Sequence, residues 1–141
     1  MTRFRRRHLV PALVATVALI VAAPAGASRA PSGKERRALT SAVLASHVGA
    51  INKVPRSHFR VTGQRVSSVS GSWAKAELVA RPAFRSTFQN AIVIAVRPAG
   101  TTQWVVVDLG SAEVGCGIAP NKVLADLFNT RTPCPPGAGI G

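Results

Sequence analysis

Acidic and histidine side chains are scarce in this chain, whose 141 residues include five Asp and Glu and three His against eighteen Lys and Arg. Glycoside hydrolysis places two carboxylates across a cleft, but Glu35 has the spacing of a helix cap, and Asp126 follows Lys122 by four residues, the spacing of a weak helical ion pair. Metal sites need clustered ligands, and the chain has no His-x-x-x-His or Cys-x-x-Cys pair. We therefore expect no catalytic carboxylate pair, no cofactor and no metal.

Sequence motifs for nucleophilic catalysis are also missing. Ser72, His58 and Asp108 are the residue types of a catalytic triad, but serines are numerous, and neither a Gly-x-Ser-x-Gly elbow nor a glycine-rich phosphate loop occurs. His47 and His58 are expected to be structural or surface residues. The sequence thus predicts a protein without catalytic residues, and an enzyme without a recognisable motif is kept as a third alternative.

Cysteine is limited to Cys116 and Cys134, eighteen residues apart. This pair lacks the close Cys-x-x-Cys spacing that tunes a reactive thiolate. An even number of cysteines in an exported chain favours a disulfide. We expect Cys116 and Cys134 to form a structural bridge, worth about 3 kcal/mol in the chain-entropy model.

The N-terminal segment has the three parts of an export signal. Four arginines lie within the first seven residues, an apolar run covers residues 9–23, and small residues follow at 25–27. The run is shorter than the roughly 20 residues of a spanning helix. We expect cleavage between Ala27 and Ser28 and a secreted or extracytoplasmic protein, which would touch the membrane only through an uncleaved signal. The general secretion route is favoured, although residues 6–10 also fit the twin-arginine pattern.

Positive charge is concentrated in the first part of the expected mature chain. Residues 28–97 carry twelve Lys and Arg and two acids, a net charge of +10, whereas residues 98–141 carry two basic residues and three acids, a net charge of −1. Such a field attracts anionic partners without specifying a fold. The base composition of a GC-rich genome is an alternative explanation of the arginine count.

Hydrophobic periodicity predicts one helix, four strands and a second, short helix. Ser32 and Glu35 have capping-box spacing and start the first helix, which we expect to run through Val48 and to end at Gly49. The first strand begins at residue 59, with a bulge expected at Gly63 or at residues 67–68. The other strands cover residues 73–80, 91–96 and 104–107, and the second helix covers residues 122–128.

Short, turn-rich connections between these strands favour antiparallel pairing. We therefore predict an α+β fold, with the N-terminal helix packed on one face of a four-stranded antiparallel sheet and the short C-terminal helix tied by the disulfide. The other face is expected to be partly exposed and to present Arg, Lys and Gln side chains together. Residues 33–134 would form this single domain, between a signal peptide at 1–27, a linker at 28–32 and a flexible tail at 135–141.

Several short motifs resemble small exported proteins of high-G+C Gram-positive bacteria. They are the run Val-Ser-Ser-Val-Ser-Gly-Ser-Trp-Ala-Lys-Ala at 66–76, Trp-Val-Val at 104–106, Cys116, Val-Leu-Ala-Asp-Leu at 123–127 and Cys134, and the resemblance covers residues 60–134. No established activity comes with this resemblance, so it implies no catalytic or binding residue. It supports the disulfide and a location in the bacterial envelope.

Positive charge and the missing catalytic motifs together predict a non-catalytic exported domain that associates with anionic envelope components, such as phosphate-bearing wall polymers or acidic lipid headgroups. The expected contacts are Arg60, Arg65, Arg81 and Arg85. The alternative is a small secreted protein-binding module or inhibitor, which would use a sheet face or the loop at residues 81–89. Nucleic acid is not an expected partner of an exported protein.

Overall fold

A computed structural model describes residues 27–47 and 56–138 of the chain. The elements are α1 (Gly33–Ala45), β1 (Phe59–Val66), β2 (Trp73–Ala80), β3 (Ala91–Val96), β4 (Val105–Gly110) and α2 (Asn121–Phe128), with 3-10 turns at Arg56–His58 and Pro82–Phe84. The strands form one antiparallel sheet in the order β1-β2-β3-β4, so the predicted α+β fold is confirmed. Residues 1–26 of the predicted signal, the expected helix end at Gly49 and residues 139–141 of the tail lie outside the described residues.

Helix α1 begins at the predicted capping box. Ser32 Oγ accepts a hydrogen bond from the Glu35 backbone N–H (3.2 Å), and the Glu35 carboxylate accepts one from the Ser32 N–H (2.9 Å). The helix ends at Ala45, and Ser46 is already extended, so the prediction of a helix through Val48 was wrong. Serine competes for backbone hydrogen bonds and favours helix ends, which the apolar periodicity does not reveal.

The bulge in β1 lies at Gly63, one of the two predicted positions. Thr62 pairs with Glu77 and Arg65 pairs with Lys75, so two residues of β1 stand opposite one residue of β2. Gly63 adopts a φ of 59°, and a Cβ there would come within 2.7 Å of the Glu77 side chain. The extra residue reverses the alternation of side chains along β1.

Two hydrophobic clusters pack on opposite faces of the sheet, since alternate residues of β3 belong to different clusters. On one face, Leu39 and Val43 of α1 are fully buried against strand residues. On the other face, α2 and the segment before it pack against Trp73 of β2, Ile92 and Ile94 of β3 and Val107 of β4. The buried residues of this cluster are Ile94, Val114, Ala119, Val123, Leu124 and Leu127. The C-terminal helix therefore forms a third layer of the domain.

The β1–β2 half of the second face is covered by α2 only at the end that carries Trp73 and Lys75, where Phe128 lies over Lys75. We call this surface the basic half-face, and its side chains are Arg60, Thr62, Arg65, Lys75, Glu77 and Val79. The prediction that Arg and Lys would share a partly exposed face is consistent with it. Gln64 is the exception, because the bulge turns it to the opposite face, where its Nε2 donates to Thr40 Oγ1 (2.7 Å).

Within residues 27–47 and 56–138, neither helix is long and apolar enough to cross a membrane.

Candidate anion-binding surface

Glu35, in the first turn of α1, forms ion pairs with two arginines of the fold. The Arg29 guanidinium donates two hydrogen bonds to its carboxylate (2.8 and 2.7 Å), and Arg97 lies 3.9 Å away. The bond from Arg29 is the main reason that the pKa of Glu35 is lowered to about 2, with further contributions from the Ser32 N–H and hydroxyl. These ion pairs to Glu35 are the salt bridges formed within the part of the chain that the structure describes.

Asp126 is a buried carboxylate whose partners are neutral donors. It is 4 % exposed and accepts hydrogen bonds from Ser67 Oγ (2.7 Å), the Ser68 N–H (2.8 Å) and Ser68 Oγ (3.0 Å). Burial acts to raise the pKa of Asp126, but the hydrogen bonds from Ser67, Ser68 and the Val69 N–H outweigh it, so the pKa is lowered. The ion pair expected with Lys122 is not formed. Asp126 instead fastens α2 to the β1–β2 turn.

The Asp108 carboxylate accepts hydrogen bonds from backbone N–H groups. Its two oxygens accept hydrogen bonds from the N–H groups of Leu109 (2.8 Å) and Gly115 (2.6 Å), which hold the segment after β4. His58 stacks on Phe84 at the start of β1, with ring centroids 3.6 Å apart. Asp108 lies in β4, at the opposite edge of the sheet from β1, and the strand register aligns it with Arg65. It is therefore roughly 14 Å from His58 perpendicular to the strands and roughly 20 Å from it along them. The structure therefore does not assemble the residue types of the triad.

Three of the five acids are thus held by hydrogen bonds within the fold, which leaves the surface strongly positive. The described residues contain thirteen Lys and Arg and five acids, a net charge of +8. Glu77 and Glu113 are the acids without such bonds among these residues, and Glu77 lies against the Gly63 bulge. A surface of this kind attracts anions over a range of about a Debye length.

The structure divides the four predicted contact residues into two places. Arg60 lies opposite Val79, and Arg81 lies just beyond it, where its N–H and Nε donate to the carbonyls of His58 (2.8 Å) and Phe59 (3.3 Å). Arg85 follows the adjacent 3-10 turn and, like Arg60 and Arg81, is exposed. These three arginines lie at one end of the β1–β2 pair, and Arg65 lies roughly 13 Å further along β1.

Arg65 holds the segment at the predicted cleavage site. Its Nε donates to Ser28 Oγ (3.2 Å), and its Nη2 donates to the Ser28 carbonyl. Ser28 is 7 % exposed. Next to it, Arg29 exchanges two backbone hydrogen bonds with Val66 (2.8 and 2.9 Å). This part of the expected linker is therefore attached to the edge of the sheet.

Lys75 is the basic residue that sequence reasoning missed. Strand alternation turns it outward from β2, but only the register of the bulged pair shows that it stands directly opposite Arg65. Its Nζ lies 5.1 Å from the ring centroid of Phe128, at the end of α2, in a cation–π contact. Both cations are half-buried.

A cavity of about 320 Å³ is bordered by these two cations and by the end of α2. We call it the Arg65–Lys75 cleft, and its lining is Ala27, Ser28, Arg65, Lys75, Leu127, Phe128 and Asn129. None of these side chains is acidic. The cleft therefore combines two fixed cations with an apolar wall formed by the ring of Phe128.

A larger cavity, of about 510 Å³, lies between α1 and the β3–β4 connection. Its Arg97 is already engaged, because Nη2 donates to the Gly71 carbonyl (2.9 Å) and the guanidinium lies 5.0 Å from the ring centroid of Trp104. Glu35 also borders this cavity, and its carboxylate disfavours an anionic ligand. The second cavity is thus the weaker candidate for anion binding.

Apolar and metal-binding surfaces are poorly developed in the described ranges. The large exposed apolar residues are Val69, Val105 and Ile118, which lie on three different segments. In the loop at residues 81–89, Phe84 and Phe88 turn inward against His58 and Phe59. Residues 27–47 and 56–138 contain no group of three or more His, Cys, Asp or Glu that could hold a metal ion.

Fold and surface together define a small disulfide-bridged α+β domain with a helix on each side of the sheet and one partly covered basic half-face. The predicted bridge between Cys116 and Cys134 is present. Comparison of the chain with protein-family models, with curated proteins and with solved structures finds no match.

Proposed function

We propose that this chain is an exported, non-catalytic domain that binds phosphate-bearing anionic components of the cell envelope through the basic half-face and the adjoining arginines. The observation that carries the proposal is that three of the five acidic side chains accept hydrogen bonds from groups within the fold. Glu35, Asp108 and Asp126 are bound by groups of the fold, so the cations of the half-face are left to interact with an external anion.

The disulfide fits an extracytoplasmic protein, because such bonds persist in oxidising compartments. The leader pattern at residues 1–27 and the resemblance to small exported proteins of high-G+C Gram-positive bacteria support the same location. Envelope polymers and lipids of such bacteria present repeated phosphate groups, for which Arg and Lys supply charge-assisted hydrogen bonds. Attachment of this kind requires positive charge and exposed donors but no catalytic group.

Exposure and spacing favour the half-face over α1 as the binding surface. Arg60, Arg81 and Arg85 are exposed at one end, and the Arg65–Lys75 cleft lies at the other. The two places are roughly 13 Å apart along β1. A polymer with regularly spaced phosphates could therefore contact both at once.

Binding to isolated cell walls across a salt series tests this proposal. We expect the exported protein to co-sediment with walls at 50 mM salt and to be released at 500 mM, because exposed charge pairs are screened at high ionic strength. Replacement of Arg60 and Arg81 by Gln should weaken binding by about fivefold, since each exposed ion pair contributes up to about 1 kcal/mol. Walls stripped of phosphate polymers should lose most of the binding.

The matched control replaces Arg36 and Arg37 by Gln, which removes two exposed cations from α1 on the opposite side of the sheet. It should change wall binding by less than about twofold. Vesicles with anionic or zwitterionic headgroups form a parallel arm that separates a lipid from a wall polymer as the phosphate source. Equal binding at 50 and 500 mM salt, or equal loss in the α1 control and the half-face variant, would contradict the proposal.

A further inference from the structure

We propose that the Arg65–Lys75 cleft is a subsite for a doubly charged phosphoryl group, that is, a phosphomonoester or inorganic phosphate. The inference deepens the proposed function and rests on its assignment of phosphate as the recognised group. Within the half-face, it singles out one place and one charge state of the ligand.

The two cations of the cleft form an unfavourable pair in the absence of an anion. Arg65 and Lys75 are direct cross-strand partners on one face, and like charges directly opposite each other destabilise a sheet. Both are half-buried, which limits screening by water. An anion between them would turn this repulsion into two attractive contacts.

Both side chains are held in place without a ligand. Ser28 binds Arg65 through Nε and Nη2, so the N–H groups of Nη1 are not used in that contact. Lys75 lies over the ring of Phe128, which leaves its ammonium without a carboxylate partner in the described part of the chain. Preorganised donors bind with a smaller loss of side-chain entropy.

The end of α2 supplies a competing explanation, because a helix C-terminus stabilises nearby cations. Asn129, the C-cap of α2, lines the cleft. A helix end carries only about −0.5 charge, so the two cations leave an excess of about +1.5 among the groups that line the cleft. Glu77, two residues from Lys75 on the same face, lies outside that lining. The helix end therefore compensates for only a part of the positive charge.

The size of this excess favours a dianion. A phosphomonoester carries about −1.5 to −2 charges at pH 7, whereas a phosphodiester or a carboxylate carries one. Cleavage between Ala27 and Ser28 would add the α-ammonium of Ser28 at the wall of the cleft, because both residues line it. This addition would favour a dianion still more.

Titration of the exported protein with methyl phosphate and dimethyl phosphate, followed by NMR, tests the inference. We expect methyl phosphate to bind about tenfold or more tightly than dimethyl phosphate, and to shift the Arg65 Hε signal. Lys75→Gln should weaken methyl phosphate binding by about tenfold or more, since it removes a charge-assisted hydrogen bond. Inorganic phosphate should behave like methyl phosphate.

The matched control is Lys34→Gln, which removes an exposed lysine from α1, outside the half-face and the cleft, and should change methyl phosphate binding by less than about twofold. The Arg65 Hε signal of the unaltered protein provides a readout that does not depend on the folding of any variant. Equal affinity for the two phosphates, equal effects of the two substitutions, or an unmoved Arg65 signal would overturn the inference.

The outcomes distinguish this inference from the proposed function. Salt-sensitive wall binding without methyl phosphate binding would refute the subsite and leave the proposed function standing. Methyl phosphate binding in the cleft without salt-sensitive wall binding would refute the proposed function and support the subsite.

Discussion

Replacing Cys116 and Cys134 together by serine is expected to lower the free energy of unfolding by about 3 kcal/mol. The bridge closes a loop of 18 residues, and the chain-entropy model gives a loss of this size when such a loop is opened. The loop contains α2, whose Val123, Leu124 and Leu127 pack with Ile94 against one face of the sheet. Without the bridge, α2 would depend on this packing, on the hydrogen bonds of Asp126 and on the contact between Phe128 and Lys75.

Urea denaturation of the oxidised protein and of the double serine variant measures this loss. Reduction of the unaltered protein should lower the urea midpoint of unfolding as much as the two serine substitutions do, because reduction and substitution open the same loop. A change below about 0.5 kcal/mol in both experiments would show that the bridge does not stabilise the domain.

Asp126→Asn is expected to lower the free energy of unfolding at pH 7 by about 3 kcal/mol, since hydrogen bonds to a buried charged group are worth about 1.5–3 kcal/mol and several are affected. The carboxylate accepts bonds from Ser67 and Ser68, which form the turn after β1. An amide retains one acceptor oxygen and directs an NH₂ group at donors. The substitution should therefore weaken the hydrogen bonds between the β1–β2 turn and α2.

The pH dependence of this loss has a definite sign. Folding lowers the pKa of Asp126, so the unfolded chain binds the proton more tightly. The stabilisation by the carboxylate is complete above the unfolded pKa of about 4 and is lost as the pH falls through the lower folded pKa. The difference between the unaltered protein and Asp126→Asn should therefore shrink from pH 7 towards pH 3.

Thermal or urea unfolding at several pH values measures this difference. Glu113→Gln, at an exposed acid, is the control and should change stability by less than about 0.5 kcal/mol at every pH. A constant difference between pH 7 and pH 3 would show that Asp126 is not stabilising as a carboxylate.

Local signals in the sequence predicted most of the secondary structure. The bounds of β2 follow from alternating apolar residues and those of β3 from an apolar run, each flanked by turn residues. The start of α1 follows from the capping box at Ser32 and Glu35. The disulfide followed from an even number of cysteines in a chain with a predicted export signal. Each of these features depends on neighbouring residues or on composition.

Features that depend on strand register and on distant contacts could not be predicted in the same way. Arg65 was named as a contact, but its position opposite Lys75 depends on the bulge at Gly63. Asp126 was expected to pair with Lys122, four residues away, yet its donors lie 58 and 59 residues away in sequence. Helix spacing gives no information about such a distant turn.

The most direct test of anion binding by the basic half-face is an NMR titration of the isotopically labelled exported protein with a soluble, phosphate-bearing fragment of wall polymer. We expect shift changes at the basic half-face, with the largest at Arg60, Arg65 and Lys75, and little change on α1. Shift changes centred on Lys34, Arg36 and Arg37 of α1, with the half-face unmoved, would contradict this expectation.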